Sequence, residues 1–212
     1  ALAQEHGIPL IIDNAYGMPF PNIIYSDVTL NWHENIILCF SLSKVGLPGV
    51  RTGIIVAAPE VVKAVSSLNA IVNLSPTRFG AAIATPLLQD GRLKQLSDDV
   101  IRPFYRNQAQ TAVSLLKREL GAYPLKIHKP EGAIFLWLWF ENLPVSSQTL
   151  YEMLKAEGTL IIPGEHFFVG INTQDYPHSR ECIRMSIAQD AETLEKGIAA
   201  IGRVVRGLYD AA

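Results

Sequence analysis

Short, continuous apolar runs alternate with longer amphipathic segments over the first hundred residues of the chain. The apolar runs cover residues 9–13, 36–40 and 52–58. Runs of this length are typical of strands buried on both faces, as in a parallel sheet. Proline favours the first position of a helix, which predicts one helix from Pro59 to about Val72 and another from Ser75-Pro76 to about Leu88. Strands that alternate with helices predict an α/β fold with a mostly parallel sheet and flanking helices.

The pattern changes near residue 100. Ser97-Asp98-Asp99 predicts the start of a long amphipathic helix that reaches about Leu120. Shorter segments follow, with strands predicted over residues 126–140, 159–162 and 182–187 and helices over residues 148–157 and 191–208. We therefore predict two domains, in which residues 1–100 belong to a parallel-sheet α/β layer and residues 101–212 form a smaller α+β domain.

The first residues look like the last turn of a helix that ends at Gly7, and no initiator methionine is present. A strand is predicted directly after this glycine. We therefore expect that the chain begins inside an α/β unit of a longer protein.

The composition limits the class of protein. Of the 212 residues, 49% are hydrophobic and 18% are charged, which is sufficient for a large core and argues against disorder. The net charge is −2 and no run of Lys or Arg occurs, so nothing indicates nucleic acid or an acidic membrane surface as a partner. The longest apolar run, residues 133–140, is too short to cross a bilayer. We expect a cytoplasmic protein without a membrane partner.

Cysteine and histidine residues indicate neither disulfides nor a metal site. Cys39 and Cys182 lie in apolar strand-like runs, which is typical of reduced core thiols in a cytosolic protein. The histidines show no spacing typical of metal ligands; they are His6, His33, His128, His166 and His178. We therefore predict that no metal is bound.

Lys44 follows an apolar strand-like run directly, in the segment Ser41-Leu42-Ser43-Lys44. Burial disfavours the charged ammonium, so a lysine at the mouth of a buried strand tends toward the free amine. A free amine is the nucleophile that condenses with an aldehyde cofactor or a carbonyl substrate. Taken alone, a solvent-facing loop lysine is the simpler interpretation, and the neighbouring polar residues argue against it.

These polar residues are expected to meet at one edge of the sheet. Asp13 ends the first strand, and Tyr16 follows three residues later. Ser41 and Lys44 follow the next strand, and Arg51 comes seven residues after Lys44. The carboxyl ends of strands in open α/β sheets face the ligand crevice. A carboxylate, a phenol, an amine, a hydroxyl and a guanidinium at this edge match pyridoxal phosphate, which has an aldehyde, a ring nitrogen, a ring oxygen and a phosphate.

Three motifs carry a resemblance to a known family. They are Asp13-Asn14-Ala15-Tyr16, the run from Ser41 to Gly53, and Pro163-Gly164 with Phe167 followed by Cys182-Ile183-Arg184-Met185-Ser186. In this combination they resemble the class I/II aminotransferases of fold type I. The resemblance covers essentially the whole chain, as the C-terminal half of such an enzyme.

The resemblance implies roles for three residues at the cofactor ring. Lys44 holds pyridoxal 5'-phosphate as an internal aldimine and later moves the proton between the substrate Cα and the cofactor. Asp13 keeps the pyridine nitrogen protonated, which makes the ring an electron sink. Tyr16 donates to the ring oxygen and tunes the imine.

The resemblance also implies how the phosphate and the substrate are bound. Ser41 and Arg51 bind the phosphate, and Arg184 pairs bidentately with the substrate carboxylate. No second basic residue in the motifs awaits a distal carboxylate, which favours valine or alanine as the amino acid and pyruvate or 2-oxoisovalerate as the 2-oxo acid. Residues 1–100 would then be the C-terminal portion of the cofactor-binding large domain, and residues 101–212 the small domain.

The family forms homodimers with sites at the interface, and the resemblance implies the same assembly here. Parts of the family's site precede the segment present in this chain, among them the glycine-rich turn that cradles the phosphate. We therefore expect residues 1–212 alone to bind the cofactor weakly and to show little or no turnover.

Three other interpretations remain open. Ser41-Leu42-Ser43-Lys44 also matches the Ser-x-x-Lys motif of β-lactamases and penicillin-binding proteins, but Gly46, Pro48 and Gly49 oppose the helix that this motif opens. A C–S lyase on the same fold would release pyruvate from cystathionine without an acceptor. An aminotransferase-like ligand-sensing domain of a transcription regulator would follow a DNA-binding winged helix.

Overall fold

The computed structural model describes residues 2–75 and 77–212. The chain divides into two compact units, Ala1–Phe104 and Tyr105–Ala212. The assignment of residues 1–100 and 101–212 to the large and small domains of an aminotransferase stays a prediction. Within the described ranges, no helix combines the length and the apolar character needed to cross a bilayer.

The first unit contains a three-stranded sheet in the order β1-β2-β3. The strands are β1 Leu10–Asp13, β2 Ile36–Ser41 and β3 Gly53–Val56. β1 pairs with β2 in parallel and places Asp13 opposite Cys39, whereas β2 pairs with β3 antiparallel and places Ser41 opposite Gly53. The predicted α/β class is confirmed, and the described part of this sheet is mixed.

The first strand is less buried than its apolar sequence predicts. Leu10 and Ile11 are 44% and 66% exposed, and Ile55 and Val56 of β3 are 40% and 43% exposed. The prediction of burial on both faces is therefore wrong for β1 and β3. The physical reason is that, within the described residues, the core cluster of this unit contains no side chain from β1 and only the partly buried Ile54 from β3. That core consists of Phe20, Leu42, Ala84 and Leu93 with partly buried neighbours such as Phe40 and Ile54.

The helices of this unit come before and after its strands along the chain. They are α1 Leu2–Glu5, α2 Pro59–Asn73 and α3 Phe79–Gln89. α2 begins at Pro59, as predicted. For α3 the predicted start included Pro76, which lies outside the described residues. The helix begins at Phe79, whose N–H donates to the hydroxyl of Thr77 at 3.3 Å and so replaces one missing helical bond.

The long helix begins earlier than its sequence signal predicts. α4 Arg92–Leu96, a π-helical turn Ser97–Ile101 and α5 Arg102–Leu120 follow one another directly. Ser97 is buried within this stretch and donates its hydroxyl to the Leu93 carbonyl at 2.8 Å, so it is not the cap. The carboxylate of Asp90 instead accepts the Arg92 N–H at 3.1 Å. The predicted start at Ser97 is therefore wrong.

The second unit is an antiparallel four-stranded sheet with helices. Its strands, in the order β4-β5-β7-β6, are β4 Leu125–Ile127, β5 Phe135–Phe140, β6 Ile162–Pro163 and β7 Cys182–Ser186. Its helices after α5 are α6 Ser147–Ala156, α7 Pro177–Arg180 and α8 Ala191–Asp210. The carboxylate of Asp190 accepts the Thr193 N–H at 2.9 Å, which confirms the predicted cap of α8.

The predicted strand over residues 159–162 is mostly wrong, because only Ile162 of this range belongs to β6. The N–H of Thr159 donates to the Leu154 carbonyl at 2.8 Å, so the chain there is still completing the end of α6. Leu160 is 71% exposed. Apolar sequence alone therefore does not distinguish this turn from a strand.

The core of the second unit lies between the sheet and its helices. One cluster contains side chains that are almost completely inaccessible to solvent, among them Leu116, Leu138, Ile183, Ile198 and Val205. Each such side chain contributes about 1.5–3 kcal/mol through burial. This core fixes β7, the strand that carries Arg184.

Candidate active site

Lys44 lies in a short 3₁₀ turn, Leu42–Val45, at the carboxyl end of β2. The hydroxyl of Ser41 accepts the Ser43 N–H at 3.2 Å and caps this turn. The turn ends at Gly46, whose φ of 101° is left-handed and favours glycine. The turn is too short to be the helix that a β-lactamase motif opens, which removes the main support for that interpretation.

Asp13 lies at the same edge of the sheet as Lys44. Asp13 is the last residue of β1, and Lys44 lies in the turn that follows the adjacent parallel strand β2. The N–H of Asn14 continues the ladder by donating to the Cys39 carbonyl at 2.8 Å. The exposed carboxylate of Asp13 accepts the Ala15 N–H at 3.2 Å. This turn orients the carboxylate at the end of its strand and leaves it accessible to a ligand.

Tyr16 lies beside Lys44. The Nζ atom of Lys44 is 5.6 Å from the centroid of the Tyr16 ring. The loop that carries Tyr16 is anchored in the core of its unit, since Phe20 is buried and its ring lies 5.6 Å from that of Phe40. The structure thus brings the predicted amine and phenol together.

Arg51 is hydrogen-bonded to Ser43, which directly precedes Lys44 and was not among the predicted site residues. Its Nη1 atom donates to the hydroxyl of Ser43 at 3.4 Å and to the Pro48 carbonyl at 3.3 Å. Its backbone is left-handed, with φ 47°, which is uncommon outside glycine and favours the interpretation of a functional position. The sequence signal for Ser43 as a candidate site residue was its hydroxyl, the second one in Ser41-Leu42-Ser43-Lys44.

A polar cavity of about 480 Å³ extends from Arg51. Its lining residues are Arg51, Thr52, Gly53, Asn69, Asn73, Ser75 and Thr77. Hydroxyl and amide groups beside a guanidinium are typical partners of an anion. A larger cavity of about 680 Å³, in the second unit beside α8, contains none of the predicted site residues.

Three charged side chains of the first-unit site take part in no ion pair within the described residues; they are Asp13, Lys44 and Arg51. A ligand that offers a cationic nitrogen, an aldehyde and an anionic group would satisfy all three. The residues present therefore fit pyridoxal phosphate.

Arg184 belongs to the second unit, where two aromatic rings enclose it. The Cζ atom of its guanidinium lies 4.1 Å from the ring centroid of Phe135 and 4.8 Å from that of Phe167. Its Nε atom is buried and has no hydrogen-bond partner among the described residues. A buried guanidinium donor without a partner is costly unless an anion arrives. The sequence motif included Phe167, but sequence reasoning missed Phe135.

Burial raises the pKa of the Cys182 thiol to about 11, and the charge of Glu181 adds to this effect although the indole of Trp137 opposes it. At pH 8 about 0.1% of such a thiol is ionised, against about 10% at the ordinary pKa of 9.0. We expect alkylation of Cys182 by iodoacetamide to be about 100-fold slower than in the unfolded chain. Peptide mass spectrometry in buffer and in urea measures both rates, and equal rates would contradict the burial.

Comparisons with known proteins show the family of this chain. The family model described as "Aminotransferase class I and II" matches residues 1–201. The valine–pyruvate aminotransferase of Escherichia coli (strain K12) is 46% identical over 198 residues, which are 93% of this chain and 47% of that protein. The segment of residues 13–23 resembles valine–pyruvate aminotransferase, and this relative confirms the resemblance.

Two solved structures are similar over the whole chain. A candidate amino-acid aminotransferase from Psychrobacter arcticum 273-4 is 68% identical with a TM-score of 0.95, and the match covers 100% of this chain and 48% of that one. The valine–pyruvate aminotransferase AvtA from Salmonella typhimurium LT2 is 43% identical with a TM-score of 0.92, and the match covers 100% of this chain and 54% of that one. The chain thus spans about half the length of these relatives.

Proposed function

Since this chain belongs to the class I and II aminotransferase family, we propose that the complete enzyme transfers an amino group between an apolar amino acid, valine or alanine, and a 2-oxo acid such as pyruvate. The single observation that best supports this is the placement of Lys44 beside Tyr16, at the edge where Asp13 ends the adjacent parallel strand. The valine–pyruvate relatives support the choice of substrates.

Enzymes of this family depend on pyridoxal phosphate, whose ring withdraws electrons from the substrate Cα when it is bound. We propose that the amine of Lys44 would hold this cofactor at its aldehyde group. When that amine is free, it would act as the base and acid that move the proton at the substrate Cα. The carboxylate of Asp13 would favour the protonated form of the ring nitrogen, and the phenol of Tyr16 would donate a hydrogen bond to the ring oxygen.

The remaining contacts bind the two anionic groups. The cofactor phosphate is proposed to be bound by Ser41, Ser43 and Arg51, because two hydroxyls lie close to a guanidinium that has no ion-pair partner among the described residues. Arg184 is proposed to bind the substrate carboxylate through two parallel hydrogen bonds. The complete enzyme is proposed to act as a homodimer.

Substrate choice is tested with the complete enzyme by measuring alanine formation from pyruvate. We expect kcat/KM for L-valine to exceed that for L-aspartate about 10- to 100-fold, since a distal carboxylate would be desolvated without a proposed cationic partner at a cost of about 1–3 kcal/mol. A preference for L-aspartate would contradict the substrate class. Pyruvate release from cystathionine without an acceptor would contradict transamination and support a C–S lyase.

A further inference from the structure

The loop that carries Tyr16 closes on itself through two backbone hydrogen bonds. The N–H of Ile23 donates to the Tyr16 carbonyl at 2.9 Å, and the N–H of Asn22 donates to the Gly17 carbonyl at 3.0 Å. The side chain of Ile23 is completely buried. The position of Tyr16 therefore depends on the position of Asn22 and Ile23.

Every polar group of Asn22 has a partner. Beyond its N–H, its side-chain Nδ2 donates to Asp98 Oδ1 at 2.6 Å. Its carbonyl and its Oδ1 both accept from Arg102 Nη1, each at 2.9 Å. Its backbone is left-handed, with φ 56°, a conformation that asparagine tolerates better than most residues. Hydrogen bonds thus hold the backbone N–H, the backbone carbonyl and the side-chain amide of Asn22.

The partners of Asn22 share one face of a helical stretch, since Asp98 and Arg102 are four residues apart at the junction of the π-helical turn and α5. Arg102 also donates to the Ile24 carbonyl at 2.5 Å. Lys94 forms an ion pair with Asp98. Hydrogen bonds from Lys94 and then from Asn22 lower the pKa of the Asp98 carboxyl, so this acceptor stays charged near neutral pH.

We propose that Asn22, Asp98 and Arg102 form a positioning network that fixes the Tyr16 loop and thereby sets how Tyr16 donates to the cofactor. This inference rests on the proposed role of Tyr16. None of the three residues needs to touch the cofactor or the substrate. Their effect passes through the two backbone bonds to the Tyr16 and Gly17 carbonyls.

The network has a functional consequence because a hydrogen bond to the ring oxygen stabilises its negative charge. That charge otherwise attracts the proton on the nitrogen that joins the lysine to the cofactor. Losing or loosening the phenol donor therefore raises the pKa of that nitrogen. The pH midpoint of the cofactor's absorbance change reports this pKa directly, and a purely structural role for the network would leave it unchanged.

The sharpest test exchanges donor and acceptor between Asn22 and Asp98 in the complete enzyme. Asn22→Asp alone places two carboxylates at hydrogen-bond distance, where they repel each other. Asp98→Asn alone keeps an acceptor for Asn22 and should behave like the wild type. The double variant N22D/D98N restores one donor facing one acceptor, so it should rescue the first variant.

Two measurements follow the exchange. In the cofactor-free enzyme, we expect amide hydrogen exchange at residues 22 and 23 to be about 10-fold faster in N22D and to return to within about 2-fold of wild type in the double variant. In the cofactor-bound enzyme, the absorbance midpoint should shift upward in N22D, as in Tyr16→Phe, and shift back in the double variant. Asn142→Asp is the matched control, since Asn142 is also left-handed but is exposed.

The proposal is overturned if N22D leaves exchange and midpoint unchanged, or if the double variant behaves like N22D. A midpoint that does not move in Tyr16→Phe would contradict the proposed role of Tyr16 and, with it, the functional part of the network. The exchange rates distinguish these cases, because they are measured without cofactor and depend only on the loop.

Discussion

We expect replacement of Lys44 by alanine to lower the proposed transamination rate by about 10⁴-fold or more in the complete enzyme. The physical reason is that one amine performs two tasks in the proposed mechanism. It bonds to the cofactor aldehyde, and it moves the proton at the substrate Cα. Alanine removes both functions and leaves the turn intact, because the residue that fixes the turn in the core is the fully buried Leu42.

The measurement is kcat with valine and pyruvate, together with borohydride reduction of the resting enzyme. Reduction should attach the cofactor permanently to the peptide that contains Lys44 in the wild type and to no peptide in Lys44→Ala. Lys63→Ala is the control, since Lys63 is an exposed lysine on α2 and should leave both results unchanged. Full activity of Lys44→Ala, or cofactor attachment at another lysine, would contradict the mechanism.

We expect replacement of Arg184 by glutamine to lower kcat/KM for valine by about 10²- to 10³-fold. The two charge-assisted hydrogen bonds proposed between Arg184 and the substrate carboxylate would be lost, at a combined cost of about 3–4 kcal/mol. Arg184→Lys should recover only part of the loss, because an ammonium cannot form the planar, paired contact of a guanidinium. The absorbance of the bound cofactor without substrate should not change, since the proposed partner of Arg184 is the substrate.

The controls separate binding from folding. Arg203→Gln removes an arginine whose side chain is 57% exposed and pairs with Glu157, so it should have little effect. Phe167→Leu keeps the charge of Arg184 but removes one of the two rings that enclose it, and we expect a moderate loss of about 3- to 10-fold. An Arg184→Gln enzyme with wild-type kcat/KM would show that another group binds the carboxylate.

Local sequence patterns predicted most of the elements correctly. The helix that begins at Pro59 and the cap of α8 at Asp190 were both predicted, because proline at a first turn and a carboxylate that accepts a free N–H act within a few residues. The start predicted at Ser97 was wrong because this serine does not cap a helix. Its hydroxyl donates backward to the Leu93 carbonyl inside a continuous helix, and composition does not reveal that direction.

In the candidate site, too, short motifs pointed to individual residues but not to contacts between residues far apart in the chain. The motifs pointed to five site residues, since an apolar run that ends in a polar residue is visible in the sequence; they are Asp13, Tyr16, Ser41, Lys44 and Arg51. Their roles at the cofactor stay proposals. No sequence pattern pointed to Phe135, because its place beside Arg184 follows from packing on the adjacent strand. The same holds for the partners of Asn22, which are 76 and 80 residues away in the chain.

The sequence by itself determined the family and the order of most strands and helices, because each is encoded by short motifs or by periodic apolar positions. It also singled out Lys44 as the candidate lysine for the cofactor, a role that stays a proposal. Only the tertiary structure decided which side chains meet. It placed the Tyr16 ring beside Lys44, left the Nε atom of Arg184 without a partner between two rings, and joined Asn22 to Arg102. Such contacts depend on the path of the chain between distant residues, and no local pattern records that path.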